Sequence, residues 1–405
     1  MTPAMDTART DDLIAVASLV RSGHATNRGE ISRQLGLRST SVSDLVGQLI
    51  AQEVLHENSA RGRGKGRPAA VLSFNQQRLG AVFVTVMDQT LVASAVDLDL
   101  RVLGQITAAP PMDSDSASIA ATLRQLVTET AALFAPQVEL AAIVCAMSGL
   151  LDVGRKIWCV SARWPQLRNL DLGAALDGFG CPVWLIRNLD AEMAGLRVQE
   201  NHGPEETALL LHWGHGIGAA YAAGNEVVNR SRGRFCEIGH WGLGNGRGLR
   251  CNCGNSDCLE TVAGLWAIRS DLAAEFPGLP ASEHAIAAHL ARMDLRDSRV
   301  VQAALSEMLR VTANLCRLLF PDRVILTGPF VQNPEVFSRF VQTLEVAPML
   351  RSLDKVRVSV SDGSAQSELL GALREPLDTA LRALVATAPA PAARPLRSAR
   401  AQVAR

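Results

Sequence analysis

Residues 236–260 form one cysteine-rich segment, with the sequence CEIGHWGLGNGRGLRCNCGNSDCLE. The segment offers one imidazole and three thiols, those of His240, Cys251, Cys253 and Cys258. Zinc prefers four nitrogen and sulfur ligands in a tetrahedron, and a closed set of one histidine and three cysteines is typical of a structural site. A few buried, inert thiols are the alternative, but a loop rich in glycine and asparagine is poor core material. The sequence therefore predicts a structural zinc site, and four protein ligands leave no open position for catalysis.

The composition limits the class of protein to which the chain can belong. Its 405 residues include 40 Lys and Arg and 40 Asp and Glu, so nucleic-acid binding would need a local basic patch. Because no run of eighteen apolar residues is present and the N-terminus is polar, we expect a cytoplasmic protein without a membrane span. Clustered cysteines fit a reducing compartment better than a disulfide framework. Four further cysteines lie among apolar residues and are expected in the core: Cys145, Cys159, Cys181 and Cys316.

The first 75 residues have the pattern of a winged helix-turn-helix. Three helical patterns come first, and Asn27 with Glu30 predicts a capping box at the start of the second, which ends at Gly36. A four-residue turn, LGLR, leads to a third helix that begins at Ser39. A strand-like run, a basic loop and a second strand follow. This order indicates a winged module at residues 1–75.

The third helix and the basic loop carry the candidate DNA contacts. Small polar and basic side chains at the start of the helix suit base edges and phosphates; they are Arg38, Thr40, Ser41 and Ser43. The loop alternates cations with glycine and holds no acid, so it can follow phosphates or enter a narrow minor groove; its cations are Arg61, Arg63, Lys65 and Arg67. An ordinary three-helix bundle with a solvated face is the alternative. The attached basic loop favours DNA binding.

After the winged module the pattern changes to alternating strands and helices. The pattern predicts three strands from Gly80 onward, a helix near residues 116–134 and a buried strand that ends before Ser148. Further strands are predicted at 208–211 and 323–326, each followed by glycine. A last helix is predicted at residues 365–373, and the Ala/Pro/Arg-rich tail, residues 381–405, is expected to be disordered.

These segments resemble the ROK family of sugar-responsive repressors and sugar kinases. The resemblance is carried by GH followed by C-x-C-G-x-x-x-C-x-E in residues 236–260, and by GRPA at residues 66–69, which is similar to the N-terminal module of ROK repressors. It implies an α/β chain with a winged helix-turn-helix, then a two-lobed actin-like domain at residues 76–380 that contains a zinc-binding loop.

The positions that a ROK kinase uses for catalysis are altered here. The family's phosphate turn, D-x-G-G-T, falls on residues 85–89, where both glycines are replaced and Asp88 places a negative charge near the phosphate. Leu189 stands where the family has its general base, and Asp190, one residue on, is rotated by about 100° on a helix. A second glycine turn at residues 214–220 resembles the family's other phosphate loop. Because the first phosphate turn and the general base are both replaced, the resemblance nevertheless implies no kinase activity.

The sugar pocket that the resemblance implies is partly retained. Its contacts to sugar hydroxyls would come from Asn188, Glu237, His240 and Glu260, since carboxylates and amides suit hydroxyl groups. These side chains could instead only hold the zinc loop together. Arg163 replaces an asparagine of the family's pocket and would suit a carboxylate or phosphate. The effector is then an acidic or modified sugar, or the site is degenerate.

The sequence thus predicts a DNA-binding transcriptional regulator of carbohydrate-related genes, of the repressor type, that senses a sugar-like effector. We expect a homodimer or higher homo-oligomer on a double-stranded operator, because a single winged module makes few contacts. A sugar kinase with an appended DNA-binding module is one alternative. A regulator whose effector site is degenerate is another.

Overall fold

The computed structural model describes most of the chain. The described residues are 3–59, 70–200, 203, 205–244, 248–346, 356–361, 363 and 365–387. The four basic residues predicted to lie on the wing are outside them: Arg61, Arg63, Lys65 and Arg67. The tail from residue 388 onward is outside them as well.

Three helices and a two-stranded hairpin make up the N-terminal module. They are α1 (Pro3–Arg21), α2 (Arg28–Leu35), α3 (Ser39–Ala51), β1 (Leu55–Ser59) and β2 (Ala70–Phe74). The Asn27 side chain accepts from the Glu30 N–H at 3.0 Å, as the predicted capping box requires, but the Glu30 carboxylate reaches back to the N–H of Thr26. Gly36 ends α2 in the left-handed region, with φ of 66°. β1 and β2 pair antiparallel, with residues 60–69 between them in the sequence.

The first lobe is built on a five-stranded sheet covered on both faces. Its elements are β3 (Leu79–Met87), β4 (Thr90–Asp97), β5 (Val102–Ala108), α4 (Ser116–Ala131), β6 (Glu139–Met147) and β10 (Val183–Arg187). The strand order is β10-β6-β3-β4-β5. β3, β4 and β6 are almost continuously buried, as the near-continuous apolar runs of central strands require. A small sheet of β7 (Leu150–Asp152), β8 (Ile157–Val160) and β9 (Arg168–Asp171), with the short helix α5 (Leu172–Ala175), is appended to this lobe.

The second lobe holds another five-stranded sheet, reached through α6 (Asn188–Gln199). Its strands are β11 (Ala208–Trp213), β12 (Ile217–Ala223), β13 (Glu226–Val227), β14 (Arg323–Thr327) and β15 (Arg357–Val360), in the order β13-β12-β11-β14-β15. Its helices are α7 (Leu259–Ala263), α8 (Leu265–Glu275), α9 (Glu283–Leu290), α10 (Arg299–Leu319) and α11 (Pro334–Val346). Two short 3-10 helices span Ile238–His240 and Phe330–Gln332.

The two large sheets have the same topology. In each, a first strand pairs antiparallel with the next strand along the chain and parallel with a later one: β3 with β4 and β6, β11 with β12 and β14. The β3–β4 turn and the β11–β12 turn therefore occupy equivalent positions in the two lobes. These two turns correspond to residues 85–89 and 214–220, which the family resemblance aligns with phosphate loops.

The last helix, α12 (Ala365–Ala386), extends further than predicted. We expected it to end at Leu373 and the tail to begin at residue 381. Residues 381–386 are instead helical, because Leu381 and Val385 are buried in the same core as apolar residues of α1 and α3. The predicted tail boundary is therefore corrected to follow the helix.

Close packing joins α12 to α6 at the centre of the molecule. A Cβ on Gly371 would lie 1.9 Å from the Ala191 carbonyl oxygen, and one on Gly195 would lie 1.8 Å from that of Ser367. Glycine is thus needed on both helices, because each backbone lies directly against the other at these positions. The other end of α12 meets α3, because the Gln52 amide donates to the carbonyls of Leu384, at 2.9 Å, and of Thr387, at 2.7 Å.

The four cysteines expected in the core differ in how deeply they are buried. Cys145 and Cys316 are fully buried, as expected, whereas Cys159 and Cys181 are only half-buried, and of these two Cys181 packs on the core of the first lobe. Among the described residues, no helix combines the length and the apolar character that a membrane crossing needs.

Candidate metal centre and effector site

The four predicted zinc ligands converge in the structure. The ligand atoms of His240, Cys251, Cys253 and Cys258 all lie within 4.8 Å of one another. His240 Nδ1 is 3.4 Å from Cys251 Sγ, and Cys253 Sγ is 3.4 Å from Cys258 Sγ. A tetrahedron with Zn–S distances of about 2.3 Å has edges of about 3.8 Å, so the cluster has the size that zinc requires. The donor set therefore fits a tetrahedral metal ion.

Backbone hydrogen bonds hold the cysteine loop against the second lobe. The Cys251 N–H donates to Asn255 at 2.8 Å, which folds the C-x-C turn back on itself. The N–H of Leu259, the first residue of α7, donates to Trp241 at 2.9 Å, so Cys258 and the histidine segment are held side by side. The ligands are thus positioned by the backbone.

Three of the predicted effector contacts lie beside this metal cluster. Burial raises the pKa of Glu237, although Arg187, whose guanidinium lies 3.5 Å from its carboxylate, opposes the shift. The two Glu260 carboxylate oxygens accept from the Ile217 N–H at 3.1 Å and from Trp266 Nε1 at 3.4 Å. Both glutamates therefore have partners in the protein, but Glu237 and His240 are more exposed than Glu260.

At the start of α6, Leu189 stands at the position of the family's general base. Asn188 begins the helix and is half-buried. The Leu189 side chain packs on Gly218, where its Cδ1 would lie 2.8 Å from an added Cβ. Asp190 is 1 % exposed and paired with Arg187 at 2.6 Å, and the same guanidinium lies 3.5 Å from Glu237. A neutral side chain thus fills the position of the base, and the neighbouring carboxylate is held by Arg187.

The first-lobe turn makes a contact across the cleft. Asp88 adopts φ of 52°, the left-handed conformation for which glycine is the usual residue. Its carboxylate accepts from the N–H of Glu283, the first residue of α9, at 2.8 Å. The Gln89 amide donates to the Arg163 carbonyl at 2.6 Å. The turn therefore contacts protein groups at the position where the resemblance would place phosphate.

Arg163 belongs to a cluster of charged side chains that the sequence did not reveal. Its guanidinium pairs with Glu283 at 2.6 Å. The other Glu283 oxygen accepts from the His215 N–H at 3.0 Å and lies 3.5 Å from His212 Nε2. Glu283 is 120 residues from Arg163 along the chain, and its local sequence indicates only a helix start.

The charges in this cluster act strongly on one another. Burial would raise the pKa of Glu283, but His212 and Arg163 outweigh it and hold that pKa well below its usual range. Burial likewise opposes protonation of His212, yet the hydrogen bond to Glu283 raises its pKa. Burial and the nearby Arg163 lower the pKa of His215 to about 4. The cluster is thus a carboxylate held by an arginine, an imidazole and a backbone N–H.

The candidate DNA-contacting side chains of the helix share one exposed surface at the start of α3. The exposed residues are Arg38, Thr40, Ser41 and Ser43. The Ser43 hydroxyl donates to the Ser39 carbonyl at 2.9 Å, and the apolar face of the helix is buried. The predicted polar face is therefore available to a partner.

Comparison with known sequences identifies relatives over most of the chain. The ROK family profile matches residues 88–374. The DNA-binding transcriptional repressor Mlc of Escherichia coli K12 is 20% identical over 337 residues, which are 80% of this chain and 82% of that protein. The xylose repressor of Bacillus subtilis 168 is 24% identical over 254 residues, 61% of this chain and 64% of that one.

Solved structures show the same architecture. A ROK family transcriptional regulator, described as a homologue of E. coli Mlc, superposes with a TM-score of 0.70 and 21% identity, covering 94% of this chain and 99% of that one. A ROK hexokinase from Thermus thermophilus superposes with a TM-score of 0.55 and 22% identity, over 73% and 97%. The two lobes therefore have the actin-like fold of sugar kinases, as predicted. With the family profile spanning more than half of its length, the chain belongs to the ROK family.

Proposed function

We propose that this protein is a DNA-binding transcriptional repressor of carbohydrate-related genes whose ROK body senses a sugar-like effector. The observation that carries the proposal is the exposed polar start of α3, in a three-helix module with a hairpin, attached to a ROK body. The relatives named Mlc and xylose repressor agree with this function. Recognition helices place such side chains against base edges and phosphates.

The contact between α12 and α3 provides a route from the body to the DNA-binding module. At its first turn, Glu368 of α12 accepts from the Thr85 hydroxyl at 2.7 Å, beside the cleft. At its last turn, the carbonyls accept from Gln48 of α3 and from Gln52, which directly follows α3. A shift of α12 would therefore move the recognition helix, and effector binding is expected to act in this way.

We assign a structural zinc ion to His240, Cys251, Cys253 and Cys258. The ion would supply a rigid link between the loop segments and no chemistry on a substrate, because all four positions are filled by protein. Nδ1 of His240 faces Cys251, which leaves Nε2 for a hydroxyl of the effector. Together with Asn188, Glu237 and Glu260, it would form the effector pocket.

The proposal includes the absence of phosphoryl transfer. General-base catalysis is typically worth about 10²- to 10⁴-fold, and Leu189 cannot provide it. Asp88 places an acid in the first phosphate turn, which opposes nucleotide positioning. ATP consumption should stay at background with glucose, fructose, mannose, xylose and N-acetylated hexosamines, and calorimetry should detect no ATP binding. Sugar-dependent turnover would instead favour a kinase with an appended DNA-binding module.

The direct test of the DNA-binding function is to recover the sites that the purified protein retains from fragmented genomic DNA. We expect a small set of fragments that share two half-sites about 10 base pairs apart, the spacing of a dimeric helix-turn-helix protein. Retained fragments with no common sequence would contradict specific regulation. A panel of sugars added to the retained complex then tests the effector: release by one sugar supports a sensor, and no release supports a body with a degenerate site.

The basic loop between β1 and β2 is expected to contribute phosphate contacts. Arg63→Ala or Arg67→Ala should weaken operator binding by about three- to tenfold and reduce the salt dependence by roughly one phosphate contact. Ser41→Ala should change the sequence preference with little change in that slope. Titrations of a labelled operator at several salt concentrations measure both quantities. Unchanged affinity in both arginine variants would show that the loop is not a DNA-binding wing.

A further inference from the structure

The Glu283 carboxylate lies between the two lobes in an environment suited to a bound anion. It accepts from the His215 N–H at 3.0 Å and from the Arg163 guanidinium at 2.6 Å, and His212 Nε2 lies 3.5 Å away. The Arg163 and Glu283 side chains are 18% and 16% exposed, so water screens this pair less than a surface ion pair. Charge-assisted hydrogen bonds of this kind are how proteins hold carboxylate and phosphate groups.

The shape of the second-lobe turn is adapted to this carboxylate. A Cβ added to Gly214 would lie 1.8 Å from Glu283 Oε1 and 2.5 Å from His212 Nε2. Only glycine at this position lets an oxyanion approach the turn so closely. The close fit distinguishes the site from a chance contact between exposed charges.

The donors come from both lobes, so the site is complete only when the cleft is closed. Arg163 belongs to the segment between β8 and β9 in the first lobe, whereas His212 and His215 belong to the second. Glu283 is also on the second lobe, and its N–H is held by Asp88 of the first. Separating the lobes would break the contacts to Arg163 and Asp88 and leave those to the histidines.

We propose that Arg163, His212 and the His215 N–H form a binding site for an oxyanion, a carboxylate or phosphate group of the effector, and that Glu283 is a built-in competitor for it. This inference rests on the proposed function, because it assigns a chemical group to the effector that the body senses. While Glu283 occupies the site, the cleft is held closed. An effector anion that displaces it takes over the same donors, and the ion pair between Arg163 and the first residue of α9 is lost.

Competition from the Glu283 carboxylate determines how tightly a free anion can bind. A tethered carboxylate competes at a high effective concentration, so free anions should bind weakly to the unmodified protein. Removing the carboxylate should therefore strengthen the binding of small anions by about tenfold or more. The gain should depend on Arg163, because that side chain supplies the charge that the carboxylate now neutralises.

The test is calorimetric titration of the full-length protein with inorganic phosphate, in the absence of DNA. Glu283→Ala and the isosteric Glu283→Gln should both bind phosphate about tenfold or more tightly than the unmodified chain. Glu129→Ala is the matched control, since Glu129 is an exposed acid on α4 that only accepts from Gln125. Adding Arg163→Ala to Glu283→Ala should abolish the gain.

Each outcome decides the proposal. A gain in both Glu283 variants that requires Arg163 supports it. A gain that survives without Arg163 places the anion elsewhere and overturns it, and so does equal binding by the Glu283 and Glu129 variants. Thermal melting shows whether Glu283→Ala is folded, and Glu283→Gln, which keeps the side-chain volume, carries the test where Glu283→Ala is not. Retention of genomic DNA by the unmodified protein tests the proposed function separately, so the two can fail independently.

Discussion

The β3–β4 turn of the first lobe and the β11–β12 turn of the second occupy equivalent positions, yet they have diverged in opposite ways. The first has lost the glycines of the family's phosphate turn and carries Asp88 in a left-handed conformation. The second keeps Gly214 and Gly216, but its N–H groups at His215 and Ile217 donate to carboxylates of the protein itself. A retained glycine motif is therefore no sign of a vacant phosphate site.

The two turns differ in what opposes phosphate binding. In the first lobe, the change is in the turn, since an acid repels phosphate and a side chain fills the space that glycine leaves. In the second lobe, the turn still has its donors, and only their partner is different. The second change can be reversed by replacing one side chain, whereas the first requires rebuilding the turn.

The largest expected effect concerns the metal centre, which belongs to the second lobe alone. Cys253→Ser should abolish zinc binding and destabilise the body by on the order of 3 kcal/mol or more, because a structural zinc ion contributes directly to folding. The same variant should weaken DNA binding that depends on dimerisation. Elemental analysis, thermal melting and operator titration measure the three effects.

A matched control is available in the first lobe. Cys181→Ser changes a half-buried cysteine outside the cluster and should keep about one zinc per chain, with a smaller loss of stability. Well under one zinc per chain in the folded, unmodified protein would contradict the assignment of the four ligands.

The next prediction tests the turn that kept its glycines. Gly214→Ala would bring a methyl group to 1.8 Å from Glu283 Oε1, so the carboxylate must leave the turn. We expect a loss of about 1–3 kcal/mol of unfolding free energy, measured by denaturant titration. In a Glu283→Ala background the same substitution should cost less, because the closest clash is gone and only the His212 ring, 2.5 Å from the added Cβ, still has to move. Additive losses in this double-mutant cycle would contradict the close fit.

The equivalent substitution in the other turn serves as its control. Asp88→Gly relieves a left-handed residue but removes the acceptor for the Glu283 N–H. Since these effects oppose each other, the net change should stay within about 1 kcal/mol. A loss as large as that of Gly214→Ala would show that both turns depend equally on their native residues.

Local sequence was enough to predict some of these features and not others. The zinc ligands and the caps of α2 depend on residues close together in the chain, where spacing fixes geometry. The Arg163–Glu283 pair depends on how two lobes meet, which no local pattern encodes. The predicted end of α12 at Leu373 was too early, because burial of its apolar residues in one core with those of α1 and α3 extends the helix to Ala386.

The smallest expected effect is a pH dependence beside the first-lobe turn. Burial, reinforced by the nearby Glu192, raises the pKa of Glu368 to about 8, although the Thr85 hydroxyl opposes this by donating to its carboxylate. The folded protein then holds a proton that the unfolded chain releases near the ordinary value of 4.5. Stability should consequently fall as the pH rises from about 4.5 to about 8.

Glu368→Gln removes this titration while keeping a group that can accept from Thr85. Part of the Glu368 side chain still reaches water, so we expect the variant to be more stable than the unmodified protein by only about 1–2 kcal/mol at pH 8, with the difference shrinking toward pH 5. Denaturant titrations at several pH values measure the difference. A gap that is constant across this range would mean that Glu368 is ionised throughout. The first turn of α12 would then carry a permanent negative charge beside Thr85 of β3.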